Sequence, residues 1–479
     1  MLWMKGCRNV KSRIMHLKRK DNIKWIVLAV FLLIPFVSFC YQDTKSIIHY
    51  QINFADALFS GRILDFYDIC YERALGYDAM GLSGSHVATY DKVMHALLGI
   101  WGIPLYFWCA LKGVPEILYN TSCVLFGKAI YIPALIISAY FIYKICIELR
   151  MDEEHSEWAS YLFCSSLLVF TNVCIIGQSD ILAIPFVLTG LLYYIREDNK
   201  KFLAFFMVAI AFKMFAFFIF VPLLLLREKR VIRIILSIIA VYSLSFVANL
   251  PYSLKTTPGV LEKAKFNQVM LSMLLEQRIP LLDGNVSLLI VALGILCLYC
   301  YLKPLNYAKE MKISAIYIAL LSMGIVFLCF FGTPYWYLHL APYLAIVIAY
   351  YSDKWNYLIL FETVGMVILT IENYVKFPWC YDLANANDML MQKIFGLVKV
   401  HPITLEQLTW HLKSYQDILN AAFVVCIIAI VWLARTHKIE LLEKTEANAL
   451  FKCAYIRLAV NVAVAYLPML LYISNTKPF

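Results

Sequence analysis

The sequence predicts an all-α, polytopic integral membrane protein, and this prediction rests on its composition and on the grouping of its apolar residues. Of the 479 residues, 62% are hydrophobic and only 15% are charged, and the mean hydropathy is +0.72. A soluble protein is roughly 45–50% apolar and about 25% charged, because its surface must be solvated. Many apolar runs approach the ~20 residues that cross a ~30 Å hydrocarbon core. This composition excludes a disulfide scaffold, a nucleic-acid binder and a soluble oxidoreductase.

The excess of basic residues predicts how the chain is oriented in the membrane. The formal net charge is +10, from 42 Lys and Arg against 32 Asp and Glu. Cytoplasmic loops of membrane proteins carry an excess of Lys and Arg, so this charge indicates orientation rather than a polyanionic partner. Residues 1–24 hold eight basic side chains and are predicted to form a cytoplasmic N-terminus. Residues 25–479 are predicted to form a single transmembrane domain that begins with a signal anchor at 25–41.

The first exterior loop is predicted to span residues 42–122 and to contain two helices that do not cross the bilayer. Apolar residues recur at spacings of three to four from Ile47 to Ile63, with Gly61 near the end, which is typical of a helix lying in the membrane plane. The apolar run 93–111 is predicted to dip into the outer leaflet and return, so that the next run crosses inward. This choice places the charged segment 144–158 in the cytoplasm, together with the later basic loops at 196–201, 227–233, 303–312 and 435–452.

Two short crossings are predicted on either side of Lys213. Residues 202–212 rise to the exterior face and residues 214–226 return, although thirteen helical residues reach only about 20 Å. Such helices require a thinned bilayer or a water-filled cavity that opens from one side. The alternative is one tilted helix over 202–226. It would leave the Lys213 ammonium in the hydrocarbon core, at a free-energy cost on the order of several kcal/mol. The cavity is the better interpretation.

Conventional crossings account for the rest of the chain, and the predicted total is about thirteen transmembrane helices. Exterior loops are predicted at 250–285, 332–336 and 373–415. The sequence has no internal repeat and no soluble domain, so a functional site must be built from helix ends and loops. The remaining helices are predicted at about 233–249, 286–302, 313–331, 337–351, 356–372, 416–434 and 454–473.

Asp43 is the first acidic residue in a candidate catalytic position. It follows the first predicted crossing directly and precedes the interfacial helix. A carboxylate held there lies where water meets lipid, which suits a base that acts on a polar acceptor beside a lipid-linked substrate. The alternative is a solvated helix N-cap, since Asp followed by Thr44 is a common helix start.

A second carboxylate, Asp180, lies in the short exterior turn Gly177-Gln178-Ser179-Asp180 between two strongly apolar helices. Its alternative role is also that of an N-cap, for the helix predicted at 181–195. The neighbouring Gln178 makes this turn unusually polar for so short a connection, which favours the floor of a cavity.

Cations and aromatic residues complete the set of candidate exterior residues. Lys213 lies at the same predicted depth as the polar turn, and Lys92 precedes the outer-leaflet helix. A third exterior turn contains Tyr335 and Trp336, followed by His339 at the start of the next helix. An interfacial aromatic belt explains Tyr and Trp without any function, but it does not explain His339.

Motifs for soluble nucleotides and common metal sites are absent from the sequence. It has no phosphate-binding loop of the form G-x-x-x-x-G-K-[ST] and no His-Glu-x-x-His zinc site. It also has no Asp-x-Asp pair that would hold a metal-bound nucleotide sugar. If the protein is an enzyme, its activated donor is therefore expected to be dissolved in the membrane and linked to a lipid. No cofactor and no bound metal ion are expected.

The order of these features resembles the GT-C superfamily of membrane glycosyltransferases, which includes protein mannosyltransferases, lipid A aminoarabinose transferases and bacterial cell-envelope polysaccharide transferases. In that family a catalytic acid follows the first crossing and precedes an interfacial helix, as Asp43 does. Tyr90-Asp91-Lys92 is similar to a family element whose Lys contacts the donor phosphate, with Val and Met in place of its prolines. The Gly-Gln-x-Asp turn at 177–180 and Ala211-Phe212-Lys213 also resemble bacterial members.

The resemblance implies inverting transfer of a sugar from a polyprenyl-phosphate-linked donor to a polysaccharide or lipid-linked glycan on the exterior face of a bacterial cell membrane. A carboxylate takes the acceptor's proton while the lipid phosphate leaves on the opposite face. Asp43 is the expected base, with Asp180 as the rival carboxylate. The expected donor-phosphate contacts are Lys92, Lys213 and Arg278, and the expected sugar or acceptor contacts are Gln178, Tyr335, Trp336 and His339.

Two other function classes remain open from the sequence. An envelope polysaccharide polymerase also uses lipid-linked sugars. Polymerases of this class carry arginines in a large late exterior loop, whereas the predicted loop 373–415 contains lysines but no Arg. A lipid-linked-sugar flippase or transporter often shows repeated halves, which this chain lacks. A cavity that opens at the outer leaflet, with Asp43 in its wall, would favour the transferase.

Overall fold

Helices make up about 86% of the part of the protein that the structure describes, in agreement with the predicted all-α fold. Residues 1–21, and about half of the predicted exterior loop 373–415, lie outside the part of the chain described below. A computed structural model describes residues 22–39, 42–79, 87–112, 121–281, 284–304, 308–329, 333–351, 354–378, 381, 397–399, 405–435, 447–474 and 476–478.

In the first half of the chain, the described residues form twelve helices. A 3₁₀ turn at Ile63–Asp65 separates the second helix from the third, and another at Ser179–Leu182 precedes the ninth. The helices are α1 Asn22–Ser38, α2 Gln42–Phe59, α3 Phe66–Ala79, α4 Lys92–Lys112, α5 Thr121–Lys128, α6 Tyr131–Glu148, α7 Glu153–Cys164, α8 Leu167–Ile176, α9 Ile184–Ile195, α10 Asn199–Phe212, α11 Phe215–Arg227 and α12 Val231–Ser253.

Within the described ranges of the second half there are nine further helices and two small antiparallel sheets. In the first sheet, strand β1 pairs with β2 so that Arg278 lies opposite Ser287. A 3₁₀ helix, Pro334–Leu340, precedes α16. The elements are α13 Pro258–Leu274, β1 Arg278–Leu281, β2 Gly284–Ser287, α14 Leu288–Leu302, α15 Ala308–Leu328, α16 Ala341–Tyr350, α17 Trp355–Lys376, β3 Leu397–Lys399, α18 Leu405–Thr409, α19 Gln416–Arg435, α20 Ala447–Ala465, α21 Leu467–Ser474 and β4 Thr476–Pro478.

Among the described residues, five helices are long and apolar enough to cross a membrane. A sixth span results if α7 and α8, which meet at a bend of 42°, are taken as one. Several other apolar helices have only 12–14 residues, which corresponds to about 18–21 Å at 1.5 Å per residue. The total of thirteen crossings therefore stays a prediction. The five long spans are Lys92–Lys112, Ser122–Glu148, Val231–Ser253, Trp355–Lys376 and Leu405–Ala434.

The chain leaves the helical conformation at Lys213, as the sequence predicts. Helix α10 ends at Phe212, Lys213 is extended with φ −151° and ψ 122°, and α11 begins at Phe215. The alternative of one continuous helix over 202–226 is therefore wrong. The physical reason is the ion pair of Lys213 with Asp180, whose nitrogen and oxygen lie 2.8 Å apart.

Helix α2 ends close to the predicted position, but its surroundings differ from those of an isolated interfacial helix. Gly61 follows it with a φ of +70°, a conformation that favours glycine. An isolated interfacial helix leaves its polar side in water, whereas Gln51 and Asn53 of α2 are buried. Protein groups replace water there, since Gln51 Nε2 donates to the Gly127 carbonyl at 3.1 Å and Arg73 donates to Asn53 Oδ1 at 2.5 Å.

The predicted exterior loop 250–285 contains regular structure that the sequence analysis missed. Helix α13 fills its centre, and strand β1 follows. A start signal was present, because Thr257 followed by Pro258 is a typical helix N-terminus. The helix contacts α3, where the Gly259 N–H donates to Asp68 Oδ1 at 3.0 Å.

A buried ion pair joins the last third of the chain to the bend between α7 and α8. Arg457 on α20 makes two hydrogen bonds of 2.6 Å to the carboxylate of Glu362 on α17, and both side chains are 2% exposed. Arg457 also donates to Ser165 Oγ at 2.9 Å, and Asn461 Nδ2 donates to the Ser165 carbonyl at 2.9 Å. The carbonyl that the bend releases from the helix is therefore satisfied by a side chain.

We predict that Arg457→Met lowers the stability of the folded protein, because it leaves the Glu362 carboxylate buried without its cation. Removing one partner of a buried pair typically costs about 3–5 kcal/mol. The midpoint of thermal unfolding in detergent is the measurement. Arg233→Met is the control, because Arg233 is 60% exposed in its pair with Glu228. An Arg457→Met midpoint equal to that of the control would contradict the prediction, and adding Glu362→Leu should restore part of the loss.

Candidate functional site

The structure contains a cavity of about 770 Å³ at the place where Lys213 interrupts the helices. Its wall is assembled from α2, the segment before α4, the break between α10 and α11, the end of α12, the inner side of α13 and the 3₁₀ helix before α16. Lys213, Tyr335 and Trp336 from the sequence analysis line it. Its volume is within the roughly 300–1,000 Å³ range of ligand sites in proteins.

Lys213 connects the cavity to a buried carboxylate behind the wall. Its ammonium lies 2.8 Å from Asp180 Oδ1 and 4.9 Å from the centre of the Tyr90 ring. The same Asp180 oxygen lies 3.4 Å from His339 Nε2. Asp180 is fully buried, whereas the Lys213 side chain is 13% exposed. The lysine therefore presents its charge to the cavity, while the buried Asp180 carboxylate, itself in contact with His339, pairs with the ammonium from the protein side.

Asp180 is not the N-cap that the sequence alternative proposed. Gln178 caps this turn, since its Oε1 accepts a hydrogen bond from the Ser179 N–H at 3.1 Å. The same Gln178 oxygen lies 3.5 Å from the Tyr90 hydroxyl, which belongs to a residue of the cavity wall. The polar turn thus supports the wall through Tyr90 and Lys213 rather than lining it.

The start of α2 packs directly against this turn. Gly177 has a φ of +72°, and a Cβ built on it would lie 2.1 Å from Thr44 Oγ1. The Thr44 hydroxyl donates to the Ile176 carbonyl at 3.4 Å. A glycine is therefore required at position 177 for both its backbone conformation and the close approach of α2.

Asp43 is the second residue of α2, and its side chain lies outside the described part of the structure. Because α2 begins at Gln42, Asp43 lies within the first turn rather than before the helix. Ser46, Ile47 and Tyr50, three, four and seven residues further on, line the cavity. Residues at these spacings share one face of a helix. Position 43 is therefore on the face of α2 that borders the cavity.

A buried lysine that the sequence analysis missed fixes the ends of two helices beside this site. Lys128 is fully buried, and its ammonium donates to the carbonyls of Phe36 and Phe39 at 2.9 Å each and to that of Cys174 at 2.5 Å. These carbonyls lie at the ends of α1 and α8, where the helix leaves them without partners. The signal was a lysine inside the apolar run 123–143.

A second polar network, also missed, forms the opposite wall of the cavity. Asp91 Oδ1 accepts from the Val93 N–H at 3.1 Å and so caps α4, while its Oδ2 accepts from Asn249 Nδ2 at 2.7 Å and from Ser245. Lys263 of α13 donates to Asn249 Oδ1 at 2.7 Å. Ser245 and Asn249 were detectable, because two polar residues four apart in an apolar helix share one face.

Lys263 is the second lysine of the cavity wall, and it also donates to the Tyr67 hydroxyl at 2.8 Å. Burial lowers the pKa of its ammonium to about 8, although the nearby Asp91 carboxylate partly opposes this shift. Below this pKa the side chain is charged, and above it the side chain is a neutral amine.

The structure does not bring Lys92 or Arg278 to the cavity wall. The Lys92 ammonium lies 4.1 Å and 4.2 Å from the ring centres of Phe66 and Tyr252 and donates to the Ile63 carbonyl at 3.3 Å. Arg278 is exposed on β1, where its Nε donates to the Leu275 carbonyl at 3.0 Å. Lys92 therefore contacts the protein's own aromatic rings, and Arg278 is exposed.

The wall combines groups with complementary chemistry. Two lysines can bind an anionic group, and aromatic side chains including Tyr335 and Trp336 can stack on a sugar ring. Within the described residues, no group of three or more His, Cys, Asp or Glu is placed to hold a metal ion. One Cys-x-x-Cys spacing, at Cys297 and Cys300, lies within helix α14.

Comparisons with known proteins add no identity. No family model matches the chain, and neither the curated proteins nor the solved structures include a match to it.

We predict that Gly177→Ala disrupts the site, because the new Cβ meets Thr44 and because a left-handed conformation costs a non-glycine residue roughly 1–2 kcal/mol. The midpoint of thermal unfolding should fall relative to wild type. Gly294→Ala is the matched control, since nothing lies within 4 Å of a Cβ at that position. Adding Thr44→Ala should restore part of the loss by removing the clash. Equal midpoints for Gly177→Ala and Gly294→Ala would contradict the described contact.

Proposed function

We propose that this protein is a polyprenyl-phosphate-sugar-dependent glycosyltransferase of the GT-C type. The observation that carries the proposal is the cavity in which Lys213, supported by Asp180 and His339, faces aromatic side chains beside the start of α2. In this proposal the chain crosses a bacterial cell membrane about thirteen times, and the cavity opens at the exterior face. The acceptor is a polysaccharide or a lipid-linked glycan.

In the proposed reaction, Asp43 takes the proton of the acceptor hydroxyl as that oxygen attacks the anomeric carbon, and the lipid phosphate leaves on the opposite face. The position of residue 43 on the cavity face of α2 supports this role. Asp91 is not assigned this role, because both of its carboxylate oxygens already accept hydrogen bonds from protein groups. Asp180 acts through Lys213, since it is fully buried behind that lysine.

Lys213 and Lys263 bind the donor phosphate in this proposal, because both line the cavity and a fixed cation stabilises the charge that develops on the leaving phosphate. Lys92 holds α4 against α3 and α12 through its ring contacts. Tyr335 and Trp336 contact the sugar in this proposal. Gln178 positions Tyr90 in the cavity wall, and His339 positions Asp180, which pairs with Lys213.

We predict that Asp43→Asn abolishes transfer while the protein remains folded. An amide cannot accept the acceptor's proton, and general-base catalysis is worth about 10²–10⁴-fold in rate. The measurement begins with mass spectrometry of envelope glycans from cells with and without the protein, which identifies the product. The initial rate of its formation is then compared in membranes that contain equal amounts of each variant.

Asp417→Asn is a matched control for Asp43→Asn, because Gln416 and Asp417 begin α19 as Gln42 and Asp43 begin α2. It should leave the rate unchanged. Asp180→Asn should mainly raise KM for the donor, because it removes the carboxylate that orients Lys213. Full activity of Asp43→Asn with a loss of kcat in Asp180→Asn would move the base to the polar turn. Identical glycans with and without the protein would refute the transferase.

A pH-dependent affinity for the donor phosphate follows from the depressed pKa of Lys263. Because the charged form predominates below about pH 8 and becomes the minor form above it, affinity for a polyprenyl monophosphate should fall as the pH rises from 7.5 to 9.5. The loss of one charge-assisted hydrogen bond is worth about tenfold in Kd. Binding to protein in nanodiscs measures it.

Lys263→Arg should remove this pH dependence, because a guanidinium remains charged across the whole range. Lys265→Gln is the control, since Lys265 is 71% exposed on the same helix, and it should retain the wild-type pH profile. A pH profile of Lys263→Arg that matches wild type would show that another group titrates.

A further inference from the structure

A second cavity, of about 600 Å³, lies apart from the functional site, between α1, α6 and α7. On α6 its lining runs from Tyr131 to Tyr143, and α7 contributes Ser160 and Cys164. Several lining side chains are also exposed, among them Leu33 at 55% and Ile136 at 63%, so the cavity is a groove continuous with the outer apolar surface. We call it the α1–α6 groove. Helix α1 supplies one continuous stripe at spacings of three and four: Trp25, Leu28, Ala29, Leu32, Leu33 and Phe36.

The groove is apolar, and its polar side chains are already engaged by protein. Ser160 Oγ donates to the Ala139 carbonyl at 2.7 Å. Glu157 pairs with Lys24 at 2.9 Å and accepts from the Trp25 indole at 2.8 Å. A polar ligand would find few partners along this length, so the groove suits a hydrocarbon chain.

The dimensions of the groove fit a single lipid chain. From Trp25 to Phe36 the helix rises about 16 Å at 1.5 Å per residue. This length is close to half of the ~30 Å hydrocarbon core, which is the depth of one leaflet. An acyl chain lying along α1 would therefore extend from the end of the groove at Trp25 to its other end at Phe36.

The two ends of the groove differ in the cations that they offer. At the Phe36 end, the ammonium of Lys128 donates to three carbonyls. At the opposite end, the Lys144 ammonium lies 5.4 Å and 5.9 Å from the ring centres of Tyr140 and Tyr143, which both line the groove. Among the described residues, Lys144 makes no ion pair with a carboxylate. An anionic headgroup is therefore matched at the Lys144 end.

We propose that the α1–α6 groove binds one acyl chain of an anionic phospholipid, with its headgroup at Lys144. The charge at Lys144 assigns the occupant to the leaflet of the predicted cytoplasmic segment 144–158. In this proposal, the end of the acyl chain that is far from the headgroup contacts Val173 and Cys174 of α8, which line the groove. The lipid thereby fills space between α1 and α8, the two helices whose ends Lys128 joins, and it acts as a structural ligand of the protein.

The test uses the full-length protein in phosphatidylcholine nanodiscs that contain a trace of phosphatidylglycerol with a photoreactive group in one acyl chain. Mass spectrometry of the labelled peptides should locate the label on α1 and α6. Leu135→Trp fills the groove and should reduce this labelling at least fivefold. Ile137→Trp is the matched control, because Ile137 is 43% exposed on the same helix and does not line the groove. It should label as wild type does.

A second pair of variants guards against a folding defect in Leu135→Trp. Ala29→Phe fills the groove from α1 and should also reduce labelling, whereas Val30→Phe should not, since Val30 is 50% exposed and outside the lining. Lys144→Gln should remove the preference for photoreactive phosphatidylglycerol over photoreactive phosphatidylcholine.

Three outcomes would overturn the proposal. The first is unchanged labelling in both groove-filling variants, and the second is label spread evenly over all exposed apolar helices. The third is stronger labelling of the same peptides by a photoreactive polyprenyl phosphate than by phosphatidylglycerol, which would make the groove a site for a prenyl chain. None of these measurements depends on glycosyl transfer, so they remain informative if the proposed enzymatic function is wrong.

Discussion

The contact of Lys128 with three carbonyl groups is the interaction on which the arrangement of the site depends. A helix leaves its last carbonyls without partners, and inside an apolar protein those groups cannot turn to water. One ammonium satisfies the ends of α1 and α8 together. The chain that continues from α1 then enters α2, and the chain that continues from α8 enters the turn at Gly177. The start of α2 and the turn at Gly177, which both border the candidate site, are therefore positioned by the same lysine, Lys128.

At the cavity wall, a lysine ammonium faces the cavity while a buried carboxylate balances its charge. Lys213 carries its ammonium at a break between two short helices, and Asp180 neutralises it from a fully buried position. Around Asp91, the carboxylate instead accepts from a backbone N–H and from Asn249, so its oxygens are used to hold α4 and α12 together. Asp180 and Asp91 therefore have different effects on the cavity. Asp180 leaves the ammonium of Lys213 facing it, whereas both oxygens of Asp91 are occupied by hydrogen bonds from protein groups.

The break at Lys213 was predictable, because a lysine inside a long apolar run must find a partner and thereby interrupts the helix. The same reasoning applied to Lys128, yet the sequence could not show that its partners would be carbonyls of two other helices. Partner choice is a tertiary property: Asp180 and His339 are 159 residues apart in the chain. Lys92 is the clearest example of what the sequence cannot predict. A lysine at the start of a helix can contact either a ligand or aromatic rings, and the packing of Phe66 and Tyr252 around Lys92 decides between them.

The bend between α7 and α8 has a consequence for biosynthesis. Ser165, at the bend, obtains its partners from Arg457 and Asn461, which follow it by 292 and 296 residues. At about 5–20 residues per second, a ribosome needs roughly 15–60 s to make the intervening chain. Until then, neither Ser165 nor the Glu362 carboxylate can make the contacts with α20 that the finished protein has. The contacts that hold this bend therefore form only after nearly the whole chain has been made.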